Sequence, residues 1–74
     1  MTQPVRPIKI GDIAVVRLGQ YTRSIIVEGG DEKDGKPVID GTIVASTDPN
    51  DRIGEPAWAY EYQVFLVMPS RRGQ

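Results

Sequence analysis

Seventy-four residues and 8.2 kDa make one domain at most. With neither Cys nor His, the chain has no disulfide, no thiol nucleophile and neither of the commonest zinc ligands. Nine basic and ten acidic residues are mixed along the sequence to a net charge of −1, so no field of one sign gathers nucleic acid or anionic lipid.

Val and Ile supply 16 of the 29 apolar residues, against two Leu and four Ala, a mixture that favours strands. Eight Gly and six Pro interrupt every candidate helix. The predicted fold is therefore all-β, with almost no α-helix. Residues 1–7 carry Pro4 and Pro7 and read as an extended arm, residues 8–69 as a single β domain, and residues 70–74 as a polar tail. The arm lacks the apolar stretch of a signal peptide and no apolar run approaches the ~18 residues of a membrane span, so the expected compartment is the cytoplasm.

In chain order, Ile8-Lys9-Ile10 leads through a Gly11-Asp12 turn into a first strand, 13–18, whose apolar residues are nearly continuous. Such a strand can be covered on both faces. Gly19-Gln20 predicts a hairpin into a second strand, 21–28. The stretch 30–37 has no apolar residue and reads as an exposed, mobile loop around an Asp34-Gly35 turn. A third strand covers Val38-Ile39 and 41–47, bent or bulged at Asp40-Gly41, and polar turns follow up to Pro56. From Trp58 to Met68 every even position is apolar or aromatic, which predicts one long closing strand with that face inward and Phe65 and Val67 on the outer face. Alternation then gives a core of Ile10, Ile13, Val15, Ile26, Ile43, Ala45, Tyr62, Val64 and Leu66.

About five short strands joined by polar turns close most economically into a small barrel or a strongly bent antiparallel sheet. Three stretches, Ile10-Gly11-Asp12-Ile13-Ala14-Val15-Val16, Asp40-Gly41-Thr42-Ile43-Val44 and Tyr60-Glu61-Tyr62-Gln63-Val64-Phe65, resemble the opening, middle and closing strands of bacterial SH3-like barrels. The resemblance implies a fold. The superfamily holds peptide binders, ribosomal and nucleic-acid-binding domains, enzyme subunits and oligomeric single-domain proteins, so it does not choose among functions.

Catalysis finds little to work with, because Ser24, Ser46 and Ser70 have no His to activate them and Glu61 has no partner carboxylate. The acidic clusters at 31–34 and 48–51 lack EF-hand spacing and read as solvated turns. A non-enzyme without cofactor or metal is the expectation. Among the aromatics, Tyr60 and Tyr62 are assigned to the core and Trp58 to the rim. The candidate contact residues are Tyr21, Arg23, Arg52, Trp58, Phe65 and Val67. Surface scaling sets an apolar burial of about 110 kcal/mol against an ordering cost of about the same size, so the monomer stands near break-even. The expected function is protein interaction, with itself or another protein. A nucleic-acid-binding barrel and a subunit of an oligomeric enzyme with its site at an interface are the alternatives.

Overall fold

The computed structural model describes residues 8–69; the expected arm and tail lie outside the described residues. Five antiparallel strands form one sheet that does not close: β1 (Ile13–Leu18), β2 (Tyr21–Lys33), β3 (Lys36–Ser46), β4 (Pro56–Tyr60) and β5 (Val64–Met68). Their order across the sheet is β4-β3-β2-β1-β5. The first four strands meander, and the chain then crosses back through a single 3₁₀ turn, η1 (Glu61–Gln63), to lay β5 beside β1.

Both tight hairpins follow from their turn residues. Gly19 takes φ +66° between β1 and β2, and Asp34 and Gly35 take φ +54° and +76° between β2 and β3. Two successive positive φ values are what a type I′ turn needs, and its twist matches that of paired strands. The stretch expected to be a mobile loop is therefore the end of a long hairpin, in which Lys33 pairs with Lys36 and Asp31 with Val38. Strand pairing here is set by the turn and needs no apolar residue. Near Asp40-Gly41 the bulge falls on the opposite strand: Val27 pairs with Gly41 and Gly29 with Asp40, so Glu28 is the extra residue. Gly41 is required there, since a Cβ would overlap the Ile26 carbonyl oxygen.

The core is built from Ala14, Val16, Ile25, Val27, Ile39, Ala59 and Val64, with Ile8, Leu18, Ala57 and Val67 packed against it. Ile43 is buried as well, so Ile43 and Val64 are in the predicted positions. The other seven are not. In β1 and β2 the inward face is 14, 16, 25 and 27, one residue out of phase with expectation, which turns Ile13, Val15 and Ile26 to the other face, half-buried. Ile10, in the turn before β1, is 75% exposed, and Ala45, beside the second bulge of the β2–β3 ladder, is exposed.

The predicted closing strand is two strands. Its continuous alternation is broken at η1, where the Tyr60 N–H donates to the Gln63 side-chain oxygen at 3.1 Å. The chain must turn there because β4 and β5 lie at opposite ends of the strand order. Tyr62 sits on that turn, 70% exposed rather than in the core. One residue later a bulge follows: Val15 pairs with Leu66 but Val16 with Val64, leaving Phe65 extra. The inward residues of β5 are consequently Val64 and Val67, while Phe65, Leu66 and Met68 are exposed.

Candidate functional site: the outer sheet face and an aromatic row

Residues directly opposite in an antiparallel ladder share a face and pack side by side. On the outer face Met68 lies opposite Ile13, Ile13 opposite Ile26 and Ile26 opposite Thr42. A second row runs Leu66, Val15, Ser24, Ala45. Together they make an apolar surface spanning β5, β1 and β2, with Leu66 49% and Met68 40% exposed. Phe65 extends it at the bulge. There the Arg17 guanidinium sits 5.1 Å from the ring centroid, a cation–π contact that leaves a charge at the border of the patch.

The second surface lies on the strands at the other end of the order. Trp58 on β4 meets Tyr60 edge-on at 5.3 Å between ring centroids, and Tyr60 stacks on Tyr62 of η1 at 5.1 Å and 15°. The tip of the β2–β3 hairpin folds against this row. Lys33 Nζ stands 4.8 Å from the Trp58 ring centroid, and Tyr60 is hydrogen-bonded to Asp34. Burial, then the Asp34 charge, Tyr62 and that hydrogen bond, raise the Tyr60 phenol above its ordinary value. Val38, opposite Tyr60 in the β3–β4 ladder, is buried beside the row. The row is thus in part a small second core, and its outermost ring is Tyr62.

The polar candidates serve the frame. Arg23 forms a two-pronged ion pair with Asp51, both contacts at 2.8 Å, and Ser46 Oγ donates to the same carboxylate at 2.6 Å. These donors, Arg23 first, hold the Asp51 carboxyl below its usual value. The network pins the β3–β4 loop onto β2. Asp48 accepts the backbone N–H of Asn50 within its turn at 2.9 Å, and Asp31, near the end of β2, accepts that of its neighbour Glu32 at 2.8 Å. Among the described residues no group of His, Cys, Asp or Glu is arranged to hold a metal.

Of the six contact candidates, then, Phe65 lies on the outer face and Trp58 in the aromatic row at the other end of the sheet. Val67, expected outside, packs on the core because the bulge at Phe65 reverses the alternation. Tyr21 is half-buried at the start of β2 opposite Leu18, Arg23 is engaged by Asp51, and Arg52 is exposed in the β3–β4 loop. They do not form one site. Sequence alternation does not single out the outer face as a site, because it assigns four of its residues, Ile13, Val15, Ile26 and Leu66, to the core. Arg17 carried the signal, since it shares the face of Ile13 and Val15 and a charge in mid-strand seeks water. Among the described residues no helix is long and apolar enough to cross a membrane. Comparison with protein-family models, with curated proteins and with solved structures finds no match to this chain.

Proposed function

We propose that this chain is a non-enzymatic protein-interaction module that associates with copies of itself through the outer face of β5, β1 and β2. The observation that carries the reading is the pair of cross-strand rows, Met68–Ile13–Ile26 and Leu66–Val15, on the face opposite the core. A contiguous apolar face of this kind is unusual on a monomer surface and ordinary in an interface. A domain near energetic break-even also gains most from covering it. We read the fold as an SH3-like barrel opened along one seam; the support is a meander whose last strand returns beside its first.

The aromatic row supports the alternative of nucleic-acid stacking less well. Its rings already contact one another and Lys33, and the Asp34 carboxylate beside Tyr60 sets a negative charge against the row. The test is a pair of variants read by light scattering. Leu66→Lys with Met68→Lys is expected to lower the mass of the assembly toward 8.2 kDa while the β circular-dichroism spectrum persists. Tyr62→Ser should leave the mass unchanged. A mass unaffected by the two lysines, or lowered by the Tyr62 change alone, contradicts the reading.

A further inference from the structure

The outer face is charged differently at its two ends. At one end Glu28 is exposed on β2, where Thr42 Oγ1 donates to its carboxylate at 2.8 Å, and Asp40, two residues from Thr42 along β3, is exposed on the same face. At the other end Arg17 is exposed on β1, opposite Thr22. The two apolar rows lie between. From Thr22 to Glu28 the chain advances along β2 at ~3.4 Å per residue, so the acidic and basic ends of one copy stand roughly 20 Å apart. They cannot pair within it.

We infer that two copies of this chain pack outer face to outer face with their strands antiparallel, so that Arg17 of each copy pairs with Glu28 of the other. This rests on the self-association reading and specifies its geometry. A two-fold rotation that lays one sheet over its twin has its axis in the plane between them, and only the direction of that axis is free. An axis along the strands sets Arg17 over Arg17 and acid over acid, which like charges oppose. An axis across the strands, between the two apolar rows, reverses the ends. It places the row Met68–Ile13–Ile26 against Leu66–Val15–Ser24 of the second copy, and Glu28 of the second copy over Thr22, one strand spacing of about 4.8 Å from Arg17. Arg17 reaches it by turning from the Phe65 ring. Packed sheets stand ~10 Å apart with their strands within about 30° of one another, a gap that the facing apolar rows fill while the ion pairs close its two ends.

Sedimentation of charge variants tests the packing. Arg17→Glu alone and Glu28→Arg alone each place like charges at both ends of the interface, and each is expected to raise the dissociation constant roughly ten-fold with the β circular-dichroism spectrum retained. The chain carrying both R17E and E28R restores opposite charges at both ends and should associate as the wild type does. Because the two positions stand roughly 20 Å apart in one copy, that recovery reports a contact between copies. Wild-type association that neither single change weakens, or a loss that the double change does not recover, overturns this packing and leaves the self-association reading standing. A wild-type chain that stays monomeric overturns both.

Discussion

Gly41 is the most closely approached of the three glycines within the strands, Gly29, Gly30 and Gly41. β2 passes so close that an added methyl group meets backbone, which cannot swing aside as a side chain can. Gly41→Ala should therefore cost about 3 kcal/mol, at the upper end for overpacking, read as a shift in the denaturation midpoint. An unchanged midpoint would mean the strands separate freely there. Ile25, with no exposed surface, should cost roughly 2–5 kcal/mol when truncated to Ala. Asp51 adds a pH dependence. Because the hydrogen bonds from Arg23, and then from Ser46, depress its folded pKa, its contribution is complete above about pH 4 and is lost as pH falls through the lowered value. Asp51→Asn should accordingly lower Tm at pH 7 and lower it much less near pH 2; an equal loss at both would mean that the charge of Asp51 is not what holds the loop. At this scale the sequence was legible where a residue has one solution, as in Asp34-Gly35. It was ambiguous in 13–18, where both faces are apolar and Arg17 alone distinguishes them.

The elements show why some boundaries could be read and others could not. β1 and the start of β2 fall where expected because Gly19-Gln20 ends one apolar run before the next begins. The β2–β3 hairpin extends beyond its apolar residues because its turn fixes the pairing, something hydrophobic pattern alone does not encode. Gly35→Ala is expected to destabilise that hairpin by about 1 kcal/mol, since φ +76° suits only glycine. The loosened tip should also free Lys33 from Trp58, seen as a change in the emission of the only tryptophan. A fluorescence spectrum identical to wild type would detach the tip from the row. The split of the closing segment at η1 left no trace in the alternation of 58–68, because a three-residue turn and a one-residue bulge together keep apolar residues at even positions while changing which of them face inward. Gln63 was its one polar sign, an amide placed to receive the Tyr60 N–H.

As a whole molecule, the chain folds five short strands around a core of small and β-branched residues and leaves a second apolar surface on the outer face of the same sheet. All-β architecture was readable from composition. The functional surface was readable only in part: an apolar excess on the first and last strands pointed to association, but the bulge at Phe65 and the phase of β1 decide which side chains provide it. The central claim, that the outer face of β5, β1 and β2 joins copies of this chain, is tested most directly by sedimentation across a concentration series reaching ~100 μM, well above the micromolar Kd of a modest interface. The weight-average mass is predicted to rise above 8.2 kDa with concentration and to level off at a closed assembly. A wild-type mass that stays at 8.2 kDa up to the highest concentration would contradict it.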